Sequence, residues 1–442
     1  MKRIEDFARA KRLLDRKSPL QSLDIGIEHQ QVVADIIGRV QKEGDKALFH
    51  YAKELDGAQL DSLEVSKQEI SAAYDAADEK LVSALELAAK RIREFHLACL
   101  PKTGIISIAR CLKRQVRPLN KIGVYIPGGT ACYPSTVLMT VIPAKVAGVK
   151  QIIMASPPRP DGAIPAATLV AASIAQVNRI FKIGGAQAIA ALAFGTESVP
   201  KVDKICGPGN NFVVLAKMMV YGEVAIDGLQ GPSEIVIVAD GTADASLCAA
   251  ELLAQTEHDP MAKAILITTS PELADKIDGE ISLRLDKMER SFIAAEAIKS
   301  GMIVLVDDID QAVELVNLYA PEHLSLMVAD ASSLIPKIYS AGCIFTGDNS
   351  SVVLGDYVAG PSHVLPTGGS ARFSSPLGVE DFLKVTNIIS LDDSTARDLS
   401  QAAITLAEAE GFSAHARAVS LRAKQNPSKS PFSKGGLRGI NG

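Results

Sequence analysis

From Ile122 onward the sequence alternates short runs of β-branched residues with alanine-rich stretches, and this alternation leaves few folds open. Strand-length segments recur at Gly123–Ile126, Gln151–Met154, Arg179–Ile183 and Val202–Ile205, each followed by a turn bearing Gly or Pro. A second series follows at Glu234–Ala239, Ala264–Thr268, Met302–Val306, Leu324–Val328 and Cys343–Phe345. Short apolar strands separated by helix-length segments specify a parallel sheet, because a parallel neighbour is reached only through a long crossover. Two α/β units in tandem are the simplest account.

Upstream, apolar residues recur at three- and four-residue steps through Val32, Ile36, Ile37 and Val40, then through Ile70, Leu81, Leu85, Ala88 and Ile92. This is the period of helices with one buried face, so a helical N-terminal region is expected. After Phe373 the pattern turns mainly helical until about Arg422. Beyond Asn426 the chain is rich in Pro, Ser, Lys and Gly, which bury too little apolar area to offset ordering entropy, and a disordered tail is expected.

At 442 residues the chain is too long for one ordinary domain. Its formal charge of −5, with no basic block interleaved with aromatics, argues against nucleic acid or an anionic membrane and favours a small-molecule substrate. Met1 to Leu14 lack the apolar stretch of a secretory signal, and the most apolar region, Val137 to Val149, is interrupted by Pro143 and Lys145. A cytoplasmic location is therefore expected. The six cysteines are widely spaced without Cys-x-x-Cys and read as buried thiols of a reducing cell.

Of the seven histidines, His29, His50 and His96 sit in the helical N-terminal region with no polar partner nearby in sequence, and read as surface or core imidazoles. His258, His323, His363 and His415 each lie close to a carboxylate or an amide. In Gln255-Thr-Glu-His258 the amide and the imidazole are three residues apart, on one face if the helix persists, and could meet a single ion. Such pairs are common, and neither His-Glu-x-x-His nor paired Cys-x-x-Cys is present, so any metal site must gather distant segments. Asp356, between glycines, and His415 are further candidate ligands; a turn cap and a solvated helix position are the alternatives. Glu322-His323 precedes an apolar strand, where neighbouring side chains point oppositely and could serve different steps, with His323 a natural base near neutrality. Three Gly-rich turns, Ile126 to Thr130, Ile183 to Gln187 and Cys206 to Asn210, could bring backbone amides to a phosphate, but none completes Gly-x-Gly-x-x-Gly.

Taken together, the strings GVYIPGG, PSTVLM, IGGAQAIAALAFGT, GPGN, GPSE, LLAQTEHDP, APEHL, GDYVAGPSHVLPTGG, ARFSS and EGFSAHARA resemble the histidinol dehydrogenase family from about residue 25 to 420. The resemblance implies one Zn2+ per subunit held by Gln255, His258, Asp356 and His415, and catalytic roles for Glu322 and His323. It implies substrate contacts from Ser233, His363 and Glu410, joined by His323 and the metal ligands, and NAD contacts from Tyr125, Gln187 and Asn210. It also implies a homodimer in which the segment bearing Glu410 and His415 completes the partner's site. The fold implied is two similar, incomplete Rossmann-like domains with helical additions. The divisions expected are an N-terminal arm (1–24), a first α/β domain (25–120 with 238–376), a second Rossmann-like domain (121–237), a C-terminal helical dimerisation segment (377–425) and the tail (426–442). The activity implied is oxidation of L-histidinol to L-histidine through histidinal with two NAD reduced, the last steps of histidine biosynthesis. The rivals are a zinc hydrolase or lyase that uses the same ligands without a nucleotide, and a non-catalytic nucleotide-binding protein of the same fold.

Overall fold

The computed structural model describes residues 1–16, 26–128 and 132–423. The disordered-tail expectation, residues 17–24 of the arm, and Gly129 and Thr130 of the first Gly-rich turn lie outside the described residues.

The chain opens with β1 (Lys2–Ile4) and α1 (Phe7–Leu14), then runs through α2 (Ile27–Glu43), α3 (Asp45–Leu55), α4 (Lys67–Ala76) and α5 (Glu79–Cys99). Local signals set the helix starts. Ser66 and Glu69 form a reciprocal capping box at α4, and the Asp78 carboxylate accepts from Lys80 N at α5. The hairpin β2 (Gly104–Ala109) and β3 (Leu112–Pro118) follows. Next comes β4 (Lys121–Tyr125), α6 (Pro134–Ala147), β5 (Gln151–Ser156), α7 (Ala166–Ile174), β6 (Arg179–Lys182), α8 (Gly185–Phe194), β7 (Lys204–Cys206), α9 (Asn211–Val220) and β8 (Ala225–Ile226). A second alternation holds β9 (Glu234–Ala239), α10 (Ala245–Thr256), β10 (Lys263–Thr268), α11 (Pro271–Leu285), α12 (Ser291–Lys299), β11 (Met302–Leu305), α13 (Ile309–Tyr319), β12 (His323–Met327), β13 (Cys343–Thr346) and α14 (Val352–Tyr357). The chain ends in β14 (Leu383–Ile389), α15 (Asp393–Ala409) and α16 (Ser413–Ala423).

Two compact units result, residues 1–101 with 118–383, and residues 102–117 with 384 onward. The larger holds two parallel sheets, of order β6-β5-β4-β7-β8 and β1-β11-β10-β9-β12-β13. Both faces of each are covered, as all-parallel sheets require. In the five-stranded sheet Val124 and Met154 pack with α5, α6 and α7, while Tyr125, Ile153 and Phe181 pack with α2, α3, α8 and α9. In the six-stranded sheet Val236, Ile265 and Leu324 face α1 and α13, while Ile235, Leu266 and Ile303 face α10 and α11. Each fully buried Val, Leu or Ile of this kind contributes roughly 1.5–3 kcal/mol over its exposed state. The smaller unit carries the sheet β14-β3-β2 and the helices α15 and α16.

All nine expected strands are present. Helices α2 to α5 pack on the five-stranded sheet, their apolar stripes meeting Val124, Ile153 and Phe181, and α5 also meets Gly360 and Val364 of the stretch 238–376. The first residues are integral as well: β1 pairs in parallel with β11, Lys2 opposite Met302. The stretch after Phe373, read as mainly helical, contains the strand β14. All six cysteines are free, but only Cys206 and Cys248 are buried, while Cys99 and Cys132 are exposed. His50, read as lacking a nearby partner, pairs with Glu54 one turn away at 2.6 Å. No described helix is long and apolar enough to cross a membrane.

Candidate active site

The Glu322-His323 pair sits where α13 passes into β12. Ala320 adopts a left-handed conformation (φ 53°) at the end of α13, which turns the chain so that Pro321 and Glu322 lead straight into the strand. Gly342 lies against this link: a Cβ there would fall 2.6 Å from the Glu322 carbonyl, so only glycine lets β13 approach. β12 is held on both sides, His323 standing opposite Ile235 of β9 and Cys343 of β13. The pair therefore lies at the N-terminal edge of the six-stranded sheet.

Both side chains are nearly fully buried, and the main chain of Glu234 fixes both. Glu234 N donates to Glu322 Oε2 at 2.8 Å, and His323 Nδ1 donates to the Glu234 carbonyl at 3.0 Å. Glu322 Oε2 also lies 3.5 Å from His323 Nδ1. The two are closer than strand alternation suggests, because Glu322 precedes the first strand residue. Burial pushes the Glu322 carboxyl up, with His323 opposing. For His323, burial disfavours the charged form, but Glu322 and Asp356 outweigh it and hold the imidazole well above its ordinary pKa. Its Nε2 is 3.4 Å from Asp356 Oδ1 but poorly aligned, and is left buried without a hydrogen-bond partner.

Asp356 comes from the last turn of α14. The His363 ring is docked beside it, Nδ1 donating to the Asp356 carbonyl at 2.8 Å and Nε2 lying 3.2 Å from Thr136 Oγ1 on α6. His323, Asp356 and His363 line one pocket of about 350 Å³. His258, just past α10, is near enough to interact electrostatically with both Asp356 and His323. Burial by the surrounding atoms lowers the pKa of His258, Asp356 opposing, although the residue as a whole is exposed. Burial likewise lowers His363, while the neighbouring imidazoles outweigh burial at Asp356 and keep its carboxyl below the usual range. Gln255 is buried in α10, one turn beyond Glu251, whose carboxylate accepts from Val352 N at 3.1 Å and so holds the start of α14.

A second and larger cavity, of about 970 Å³, opens at the C-terminal edge of the five-stranded sheet, and Tyr125, Gln187 and Asn210 all line it. The Tyr125 hydroxyl accepts from Gly185 N at 3.1 Å at the start of α8. Asn210 caps α9, its Oδ1 accepting from Val213 N at 3.2 Å. Gly207 has φ 113°, and a Cβ there would stand 2.1 Å from the Tyr125 carbonyl, so the Gly-Pro-Gly-Asn turn needs glycine at this position.

A family profile described as histidinol dehydrogenase matches residues 21–423. The chain belongs to the histidinol dehydrogenase family. The enzyme of that name from Dehalococcoides mccartyi strain CBDB1 is 49% identical over 96% of this chain and 100% of that one. The Clostridium acetobutylicum histidinol dehydrogenase is 46% identical over 93% of this chain and 97% of that protein. A crystal structure of histidinol dehydrogenase from Elizabethkingia anophelis matches with a TM-score of 0.90 at 36% identity, covering 96% of this chain and 97% of that one.

The remaining residues suggested by resemblance to the histidinol dehydrogenase family are more scattered. Ser233 directly precedes Glu234 at the start of β9, its carbonyl accepting from Lys263 N at 3.0 Å. Glu410 ends α15 and His415 lies on α16, where its ring is 5.2 Å from that of Phe412; both belong to the smaller unit. Among the described residues no three His, Cys, Asp or Glu side chains converge to hold a metal. The donors of the larger unit are nonetheless suited to zinc: an amide with no hydrogen bond among the described residues, an imidazole kept neutral and a carboxylate kept ionised form a mixed N/O set.

Sequence reading missed the residues behind the pair. The buried Glu234 carboxylate receives both Nη atoms of Arg16, at 2.8 and 2.7 Å, and that guanidinium stacks 3.5 Å from the Tyr319 ring centre. Beneath the Gly-Pro-Gly-Asn turn, Lys217 pairs with Asp227 in full burial and donates to the Gly207 carbonyl at 3.0 Å, while Asp227 accepts from Gly207 N at 2.7 Å. Neither constellation has a local sequence signal except the short Lys217–Asp227 spacing.

Proposed function

We propose that this chain oxidises L-histidinol to L-histidine through histidinal, reducing two NAD, with one zinc ion per subunit. The observation that carries this reading is the buried, unpartnered Nε2 of His323, aimed beside Asp356 in the smaller pocket while its Nδ1 proton is held by a carbonyl. When bound, zinc on Gln255, His258, Asp356 and a fourth ligand, His415, would orient the substrate's imidazole and amine and draw charge from Asp356, and NAD in the cavity lined by Tyr125, Gln187 and Asn210 would take up hydride.

His323 then acts at a single atom. Because Nδ1 stays on the Glu234 carbonyl, it is the neutral form of the ring, with Nε2 unprotonated, that takes the proton of the substrate hydroxyl as the carbinol becomes an aldehyde. Glu322, held by Glu234 N and raised by burial, is placed to take a proton from the water that adds to the aldehyde. Once its first proton has passed to solvent, His323 receives the hydroxyl proton at the same atom as the hydrate is oxidised. Ser233, His363 and Glu410 hold the substrate, and these contacts retain the aldehyde between steps.

A homodimer with shared sites is part of this reading. Helix α15 buries none of its residues, and Leu399, Leu406, Phe412 and Leu421 lie open on α15, α16 and the turn between them, which suits a subunit interface. The deciding experiment adds L-histidinol to the zinc-loaded, purified protein with NAD and follows NADH absorbance. Two NADH per histidinol consumed are expected. Product release that needs no nucleotide would instead favour the hydrolase reading.

A further inference from the structure

Asp56 follows the last turn of α3 and makes no hydrogen bond or ion pair among the described residues, its Oδ2 being buried without a donor. It lines the 970 Å³ cavity together with Gln187, whose Oε1 is also buried without a donor. Two acceptors lacking donors on one wall call for a ligand that brings O–H or N–H groups, and the carboxylate repels a phosphate.

The position of Asp56 in the sheet narrows the choice. In dinucleotide-binding sheets the adenosine ribose is held by an acidic residue at the end of the second strand. Here β4, β5 and β6 run side by side in parallel, and the second of them, β5, ends at Ser156 and is followed by Pro157-Pro158-Arg159-Pro160. The next acid, Asp161, is exposed, accepts from Ala163 N at 3.0 Å and does not line the cavity. Asp56 stands at that place from a different element: a Cβ on Gly184, just past β6, would lie 2.5 Å from Pro157 Cβ and 3.3 Å from Asp56 Oδ1. Burial raises its carboxyl to about 6, a cost that hydroxyl donors would offset.

We propose that Asp56 accepts the ribose hydroxyls of the dinucleotide's adenosine half and selects the nucleotide without a 2′-phosphate. This rests on reading the cavity as the NAD site. The opposing feature is Arg159, exposed on the same cavity wall, which is the cation a 2′-phosphate would use.

The test is equilibrium binding of NAD and of NADP to the full-length protein by calorimetry, for the wild type, Asp56→Asn, Asp56→Ser and Asn210→Ala, with thermal melts to confirm folding. Wild type should prefer NAD. Either Asp56 variant should lose about tenfold in NAD affinity, the scale of losing hydrogen bonds to a charged group, while NADP changes less and the preference collapses. An adenosine 2′-deoxy analogue of NAD should bind the wild type less tightly than NAD does. If Asn210→Ala weakens NAD while both Asp56 variants keep the wild-type preference, or lose both nucleotides equally, the role of Asp56 is overturned and the cavity stands. If the wild type binds neither nucleotide, or Asn210→Ala leaves NAD affinity unchanged, the cavity reading falls and this inference with it.

Discussion

Nδ1 of His323 meets the carbonyl of Glu234 at 3.0 Å, and a carbonyl can only accept. The imidazole therefore exchanges its other proton, at the nitrogen facing the pocket, whatever its charge. His323→Asn is expected to lower kcat by roughly 10²–10⁴, the usual range for losing a general base, while zinc content stays at the wild-type level. Steady-state rates and metal analysis of the same preparation check this, and undiminished turnover would dismiss the assignment.

Arg16 and Glu234 form a buried bidentate pair, so neutralising one partner strands the other charge away from water. Glu234→Gln is expected to lower unfolding stability by about 3–5 kcal/mol, and Arg16→Ala combined with it should cost less than the two changes summed. Denaturant titrations of the four proteins in the cycle measure this. Strict additivity would mean the two residues do not act as a pair.

His96 is buried in α5 with neither ring nitrogen partnered, and burial lowers its pKa from 6.5 to about 4. Between these values the unfolded chain binds a proton that the folded chain refuses, so stability rises with pH across that window. The contribution is complete above the unfolded value and is lost progressively, by up to about 3 kcal/mol, as pH falls towards 4. His96→Leu should flatten this part of the stability profile. A wild-type slope in that variant, from denaturant melts at several pH values, would reject the cause.

If sites are shared between subunits, mixing His258→Ala with His415→Ala protein should restore part of the activity after subunit exchange. In the hybrid one site can combine an intact His258 with an intact His415. Mass spectrometry confirms the exchange, and a hybrid that forms yet stays inactive contradicts sharing.

The nine core strands were legible because each is a run of apolar residues covered on both faces. β2 and β14 were not, since Ile105, Ile108, Val385 and Ile389 stand exposed and leave no pattern that marks a buried strand. Residues 25–120 could not be assigned to a sheet from periodicity, which gives a buried face but not its partner. In the site, Gln255, Glu322, His323 and Asp356 stood out as chemistry-bearing residues in short motifs. Arg16 and Glu234 did not, because 218 positions separate them and only the packing of α1 on the six-stranded sheet brings them together. Asp56 was equally silent, its meaning resting on the donors it lacks.

The placement of His323 as the first residue of β12 constrains how the pocket can adapt. A strand laddered on both sides cannot slide by one position without breaking two sets of hydrogen bonds and turning its side chains to the opposite face. The imidazole thus belongs to a fixed wall. The opposite bank, residues 349–363, is held instead by side chains, Glu251 accepting from Val352 N at the start of the short helix that ends with Asp356 and the His363 ring bridging the Asp356 carbonyl and Thr136.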